Sequence, residues 1–315
     1  MLGFRPGTLL RSGGIRDMAD DNTVGFIGLG VMGEPMCRNI LNKSGRRVLC
    51  HDLSPEPVAR LAAEGAEAAG PQEVARQAGT VLLSLPGEPQ VRSVCLGGDG
   101  AGGLVAAMGP GQTLVDCSTA PPALARELAS ACAERGIAFA DAPVARTAQA
   151  AIDGTLSIMV GGVDETFERV RPLLDCMAAE VTHCGGAGAG QAVKLMNNMV
   201  VAMTVVALSE ALSAARASGV VDGKVLFETL ARSSADSFVL RNHGMKCLLT
   251  GEHPTEGAFP TDYILKDLSY ALDFAEGAGV EMRAANVTRG LLERTRDAGF
   301  AKNYYTAVIE TLGRR

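Results

Sequence analysis

Apolar residues come in short runs through the first half of the chain and at helical spacing through the second. The first strong run, Val24-Gly25-Phe26-Ile27, reads as a buried strand. A glycine-rich turn follows, then a helix-like segment over 34–41 and a second apolar run over 47–50 that ends at His51 and Asp52. The alternation continues with a helix expected over 57–64, a strand over 81–85 ending at Pro86, and a strand over 113–116 after the turn Gly109-Pro110-Gly111. A helix over 122–135 carries Leu124, Leu128 and Ala131 on one face, and a strand over 137–140 ends at Asp141. A strand over 156–160, a helix over 165–177 and a short strand over 180–183 complete this half. Strands alternating with helices imply an α/β fold, a mostly parallel sheet with helices on both faces.

The pattern changes after Gly190. Residues 191–218 read as one helix, roughly 40 Å long at 1.5 Å per residue. Its middle is apolar on nearly every side, which predicts burial all round. Helical periodicity recurs over 224–231, 263–278, 284–298 and 304–312, with no strand-like alternation. The expected domains are therefore an α/β unit over 22–186 and an all-helical unit over 187–315. They meet within Gly185-Gly186-Ala187-Gly188-Ala189-Gly190. Residues 1–21 read as a disordered extension, with Met18 an alternative start. Leu9-Leu10 is too short an apolar core for a signal peptide.

Composition narrows the function classes. The 315 residues include 47% hydrophobic and 20% charged positions, ordinary for a soluble globular protein. The net charge of −6 and the lack of a dense Lys/Arg run argue against a nucleic-acid partner. The most apolar run, 199–208, is about half the length a membrane span needs. The eight cysteines show no two-residue gap, so buried free thiols in a reducing cytoplasm are expected. His51, His183, His243 and His253 have no metal-ligand spacing, and no metal site is expected. His51 reads as a strand-end surface histidine.

The turn after the first strand is Gly28-Leu29-Gly30-Val31-Met32-Gly33, placed between a strand and a helix. Asp52 lies 19 residues beyond Gly33, at the end of the next strand. In that context Gly28 permits the tight turn, Gly30 admits a pyrophosphate to the helix N-terminus, and Gly33 allows close helix–strand packing. Asp52 would accept hydrogen bonds from the adenosine ribose and repel a 2′-phosphate. NAD is therefore expected ahead of NADP.

The stretch from Phe26 through Gly33-Glu34-Pro35-Met36 resembles the N-terminal signature of β-hydroxyacid dehydrogenases, a family that includes 3-hydroxyisobutyrate dehydrogenases and tartronate semialdehyde reductases. The resemblance recurs at Leu85-Pro86, Asp116-Cys117-Ser118-Thr119, Asp141-Ala142-Pro143-Val144, 154–162, 190–198 and Lys266-Asp267-Leu268, in order over about residues 24–312. It implies a Rossmann-type doubly wound domain followed by an all-α domain similar to that of 6-phosphogluconate dehydrogenases. The active site would lie in the cleft between them, with dimers or tetramers formed through the helices. It implies that Leu85, Pro86 and Thr119 line the cofactor, that Gln90 stands where a cofactor-contacting Asn is frequent, and that Lys266 approaches the nicotinamide side.

Oxidising a hydroxyl requires a base for its proton, and the reverse reaction requires the matching acid. Lys194, one turn into the long helix, occupies the family's catalytic lysine position; a buried lysine has a lowered pKa. Asn198 lies four residues on, on the same helical face, and Asn197 beside it is a further polar neighbour of the substrate. On the residues alone, Lys194 could equally cap a carbonyl or extend to solvent.

The substrate loop departs from the family. After Asp-Ala-Pro-Val most members continue Ser-Gly-Gly, whereas this chain has Ala145-Arg146-Thr147. A similar Arg-Thr pair occurs in a branch that includes 3-sulfolactaldehyde reductases. Three readings stand: Arg146 binds a sulfonate, it binds a carboxylate, or it is a structural arginine paired with an acid such as Asp141 or Asp153. The expected activity is NAD(H)-dependent interconversion of a short anionic 3-hydroxy acid and its aldehyde. An imine reductase-like enzyme, or a non-catalytic NAD-binding scaffold, are the alternatives.

Overall fold

The computed structural model describes residues 19–98 and 101–313. Most of the expected extension, including Met18, lies outside them, but Asp20 and Asp21 belong to the first strand. In chain order the elements of the first domain are β1 (Asp20–Ile27), α1 (Gly33–Lys43), β2 (Arg47–His51), α2 (Pro55–Ala63), β3 (Glu67–Ala68), α3 (Pro71–Gln77), β4 (Ala78–Leu83) and α4 (Glu88–Leu96). A small ladder of β5 (Gly97–Gly98) and β6 (Ala101–Gly102) leads to α5 (Leu104–Ala107), β7 (Thr113–Asp116), α6 (Pro122–Ala133) and β8 (Ala138–Asp141). The domain ends with β9 (Val144–Ala145), α7 (Ala148–Asp153), β10 (Leu156–Gly161), α8 (Asp164–Leu174) and β11 (Ala178–Gly185).

The sheet runs β11-β10-β8-β7-β4-β1-β2-β3. From β3 to β8 every pairing is parallel, with β1 beside both β2 and β4. The chain thus winds to one side of β1 and then to the other, which opens a crevice at the strands' C-terminal ends. One part of the sheet departs from the expected parallel pattern: β10 meets β8 antiparallel through Gly161 and Asp141, and β9 antiparallel through Ser157 and Ala145. The short β9–α7 excursion gives too little chain for a crossover back to the same end, so β10 returns in the opposite direction.

Both sheet faces are covered. Phe26, Met36, Ile40, Leu82 and Ile158 pack on one side, and Ile27, Val81, Leu83, Leu124 and Leu128 on the other. Alternation of side chains along β1 and β4 sends neighbours to opposite cores. Helices α3 and α4 fall where no element was expected. Their apolar contribution is small: Val74 and Ala75 in α3, Val91 and Cys95 in α4. Six of the eight cysteines are buried and two half-buried, and burial pushes the Cys132 thiol up to about 12.

The second domain contains α9 (Ala189–Ser218), α10 (Gly223–Leu230), a π-helical segment Leu240–Leu248, α11 (Thr261–Gly277), α12 (Arg283–Thr295) and closing short helical turns. Its core joins Val205, Leu212, Phe227, Leu240, Leu268 and Val308. The expectation that α9 is buried all round is corrected. Val193 is 43% and Val200 55% exposed, and Ala207 continues this stripe at seven-residue spacing. The domain's other helices wrap the remaining sides. By length and composition α9 could cross a bilayer; here it carries the buried polar residues Gln191, Lys194, Asn198 and Ser209.

Candidate active site

The crevice begins where β1 ends. Gly28 has φ +94°, and a Cβ there would lie 2.2 Å from the Ser84 carbonyl oxygen. A Cβ on Gly33 would lie 2.0 Å from the Gly28 carbonyl oxygen. These two glycines let the turn, the β4 loop and the start of α1 pack against one another. Gly30 differs: it is exposed, and a Cβ would meet nothing within 4 Å. That open space, at the N-terminus of α1, fits a cofactor pyrophosphate. Leu29 is buried beside it, Val31 is 58% exposed and Met32 is half-buried. Asp52 closes the turn: its Oδ2 accepts from the Leu29 N–H at 2.5 Å and its Oδ1 from the Ser54 N–H at 2.8 Å.

The opposite wall comes from the loops after β4 and β7 and from α11. The Leu85 N–H donates to Ser118 Oγ at 2.9 Å. Lys266 Nζ donates to the Pro86 carbonyl at 2.7 Å and the Thr119 carbonyl at 3.4 Å. One ammonium therefore ties the helical domain to the loops after β4 and β7. The structure brings Leu85, Pro86, Thr119 and Lys266 together. Gln90 stands exposed on α4, with no hydrogen-bond partner among the described residues.

The start of α9 is pinned to the sheet. Asp141, at the end of β8, accepts from the Gly188 N–H at 2.7 Å and the Gln191 N–H at 2.8 Å. A carboxylate at a helix N-terminus satisfies donors that have no partner within the helix. Burial nevertheless raises the Asp141 carboxyl to about 6. The Gln191 side chain accepts from the Ala120 N–H and donates to the Ser118 carbonyl. These contacts fix the azimuth of the first turn, and with it the position of Lys194.

Lys194 is 8% exposed, and burial lowers its ammonium to about 8. The Asp267 carboxylate opposes this and Lys266 reinforces it. Asn198, one turn on, donates from Nδ2 to Asp267 Oδ2 at 2.6 Å, and Asn197 Nδ2 donates to Asn198 Oδ1 at 3.1 Å. Asp267 is 1% exposed; Lys266 Nζ lies 3.3 Å from its Oδ1, outside hydrogen-bonding geometry, and that oxygen has no hydrogen-bond partner among the described residues. Asp267 belongs to the Lys266-Asp267-Leu268 motif, whose spacing alone assigns it no partner. Its position offered a signal. Ile264, Leu268 and Ala271 mark the buried face of α11, and Asp267 takes the place between them where an apolar residue belongs.

The substrate loop is positioned differently from its sequence readings. Ala145 lies in β9 opposite Ser157. Arg146 has φ +88°, a backbone conformation suited to glycine. Its Nη1 donates to the Thr155 carbonyl at 2.7 Å. The expected acid partners are corrected: Asp141 is taken by the start of α9, and Asp153 accepts from Gln149. Thr147 caps α7, accepting from the Ala150 N–H at 3.3 Å. Among the described residues, no three His, Cys, Asp or Glu side chains group to hold a metal ion.

Comparison with known proteins agrees with this geometry. A family model described as the NAD binding domain of 6-phosphogluconate dehydrogenase matches residues 23–186. A second, described as the NAD-binding domain of NADP-dependent 3-hydroxyisobutyrate dehydrogenase, matches residues 188–312. The chain is 34% identical to a 2-(hydroxymethyl)glutarate dehydrogenase of Eubacterium barkeri, covering 91% of this chain and 93% of that one. It is 34% identical to an NAD-dependent L-serine dehydrogenase of Pseudomonas aeruginosa, covering 90% and 96%. Among solved structures, a Mycobacterium tuberculosis 3-hydroxyisobutyrate dehydrogenase with L-serine superposes with a TM-score of 0.82 at 30% identity, covering 94% and 99%. With a glycine turn between strand and helix, an aspartate closing it at the end of the next strand, and a helical second domain, the chain belongs to the β-hydroxyacid dehydrogenase family of NAD-binding oxidoreductases.

Proposed function

We propose that this oxidoreductase interconverts a 2-substituted 3-hydroxypropanoate and its semialdehyde, with Lys194 as the acid–base group. The carrying observation is a buried lysine lowered to about 8, held beside the Asn198–Asp267 pair at the mouth of the cofactor crevice. NAD, when bound, supplies the hydride acceptor. Lys194 in its neutral form takes the substrate hydroxyl proton; protonated, it returns that proton in the reverse direction. Asn198 is held on Asp267, which fixes its side chain next to Lys194 and leaves its carbonyl oxygen on Asn197. Burial of these groups excludes water that would otherwise level the lysine's pKa.

The substrate class follows from chemistry common to the relatives. 3-Hydroxyisobutyrate, L-serine and 2-(hydroxymethyl)glutarate each carry a primary alcohol on the carbon next to the one bearing a carboxylate. Arg146 supports an anion anchor of either kind, carboxylate or sulfonate, since its guanidinium is exposed and, among the described residues, held only by the Thr155 carbonyl. The open Val193–Val200–Ala207 stripe supports self-association through α9, for which sedimentation velocity over a range of concentrations is the test. A single monomer species throughout would reject it.

Activity is tested by NADH oxidation with methylmalonate semialdehyde, tartronate semialdehyde, succinic semialdehyde and sulfolactaldehyde, and by NAD reduction with 3-hydroxyisobutyrate and L-serine. Wild type, Lys194→Met and Arg146→Ala are compared. Turnover that is lost with Lys194→Met supports the reading. A charge-assisted contact from Arg146 predicts a roughly ten- to hundredfold fall in kcat/KM with Arg146→Ala. Binding of NADH without turnover of any of these compounds would leave a cofactor-binding scaffold.

A further inference from the structure

A cleft lies below the glycine turn, where the cofactor assignment puts the adenosine side. Among the described residues, its lining carries three carboxylates, Glu34, Asp52 and Glu56, against one guanidinium, Arg60. A 2′-phosphate entering this cleft would need donors. Two side chains of the right chemistry are present, and both are already engaged by acids. Arg60 donates from Nε to Glu34 Oε1 at 2.8 Å and from Nη2 to Glu34 Oε2 at 2.6 Å, a two-pronged pair. Ser54 Oγ donates to Glu56 Oε2 at 2.6 Å.

Glu34 is itself held in place. Arg38, one turn along α1, donates from Nη2 to Glu34 Oε1 at 2.8 Å. Arg38 Nε in turn reaches both Glu64 oxygens, at 2.9 and 2.8 Å. The Glu34 side chain is 15% exposed, and Arg60, opposed by partial burial and aided by Arg38, holds its carboxyl at about 2. It is therefore ionised throughout the working pH range. A fixed negative charge in the first turn of α1 is unexpected next to a pyrophosphate, since that helix end favours the phosphate's own charge. Its pairing with two guanidiniums makes it tolerable to the cofactor common to NAD and NADP. The same pairing neutralises Arg60.

We propose that Glu34 is a specificity-determining residue of the cofactor site: by holding Arg60, it denies a 2′-phosphate its counter-charge and so enforces NAD over NADP. Asp52 acts by repulsion from one side of the ribose; Glu34 acts by sequestering the cation on the other. The inference depends on the cofactor assignment and not on which hydroxy acid is turned over.

The test is equilibrium binding of NADH and of NADPH without substrate, followed by nicotinamide fluorescence. Wild type, Glu34→Gln, Glu34→Ala and the double variant Glu34→Gln/Arg60→Ala are compared, with a thermal melt of each to establish folding. Both Glu34 variants release Arg60, and a guanidinium–phosphate contact is of a strength that lowers the NADPH-to-NADH dissociation-constant ratio by roughly ten- to a hundredfold. The double variant returns the ratio to the wild-type value. General relief of negative charge would also favour NADPH, which carries the extra phosphate, but that diffuse effect is screened at high salt whereas a direct Arg60 contact persists there, so a fall in the ratio that vanishes at high salt also overturns the proposal. An unchanged ratio in the folded Glu34 variants, or a fallen ratio that persists without Arg60, overturns the proposal. Because substrate is absent, failure of the hydroxy-acid assignment would not affect the outcome.

Discussion

The glycine turn and the catalytic cleft are built in opposite ways. The turn is made of backbone, closed by Asp52 accepting from the Leu29 N–H 23 residues away and packed against the Ser84 carbonyl. The cleft is made of side chains: Asn198 reaches Asp267 across 69 residues, and Lys266 reaches Pro86 across 180. The turn's constraint is steric. Atoms of β1, α1 and the β4 loop occupy the volume a side chain would need. The cleft's constraint is electrostatic: a lysine is held where its charged form is disfavoured. Alteration of the turn therefore threatens the fold, whereas alteration of the cleft removes chemistry and relieves a stored cost.

Lys194→Met gives the largest effect on this contrast. General acid–base groups contribute roughly 10²- to 10⁴-fold, so kcat/KM falls by about that factor. The same change stabilises the fold. The shift from the usual 10.5 to about 8, at roughly 1.4 kcal/mol per unit, sets an upper bound of about 3.5 kcal/mol on the gain at neutral pH. Between pH 8 and 10.5 the unfolded chain binds the proton that the folded chain has lost. Wild-type stability attributable to Lys194 thus rises over that window, and its cost is fully present below it. Urea unfolding of both proteins at pH 7 and pH 10 measures this; a destabilised Lys194→Met at pH 7 would contradict it. With neutral Lys194 as the proposed base, wild-type NAD reduction is expected to increase as pH rises through about 8, and NADH oxidation to fall over the same range.

The turn responds in the reverse sense. Gly33→Ala places a methyl 2.0 Å from the Gly28 carbonyl oxygen, and backbone must shift to admit it. A loss of about 3 kcal/mol or more is expected in a chemical melt, in the range of severe local overpacking. Gly30→Ala has open space and leaves the melt nearly unchanged, within about 1 kcal/mol. It weakens NADH binding instead, because the methyl occupies the approach of the pyrophosphate. Equal melting losses for the two would erase the distinction between packing and cofactor glycines.

Asp267→Asn sharpens the cleft side of the comparison. The Asp267 carboxylate raises the Lys194 pKa, so its neutralisation moves the inflection of the pH–rate profile below about 8. An inflection that stays or rises would show that Asp267 does not act on Lys194 by charge. The smallest effect is expected at Arg146→Gly. A non-glycine residue at φ +88° carries strain, and glycine relieves about 1 kcal/mol, offset in part by glycine's greater freedom when unfolded. Calorimetry should show a slightly higher melting temperature together with reduced kcat/KM for the anionic substrate.

The two regions were unequally legible. Gly28, Gly30, Gly33 and Asp52 could be assigned from spacing, because the strand, turn and helix that orient them are adjacent in sequence. Lys194 and Asn198 could be paired as neighbours on one helical face, but the lysine's lowered pKa depends on burial by elements far along the chain. Asp267 shows the same limit: its core-face position on α11 marks it as unusual, while its partner Asn198 lies on another helix. Arg146 read as a possible partner of Asp141 or Asp153 because loop residues lie near acids in sequence. The fold commits those acids elsewhere and turns Arg146 through a glycine-type backbone angle to the Thr155 carbonyl. In α3 and α4 a few small or lone apolar residues supplied too weak a period to mark a helix.

Taken alone, the sequence determined the main strands and their alternation with helices, though not α3 or α4, the change to an all-helical second half, and the glycine turn. Each depends on periodicity or on contacts within a few tens of residues. Only the tertiary structure decided that β10 runs against β8, that one stripe of α9 stays open, that Arg60 is held by Glu34, and that Lys194 shares its pocket with Asp267 and Lys266. These depend on which distant surfaces meet and how much water they exclude, and burial and charge coupling exist only once those surfaces are in contact.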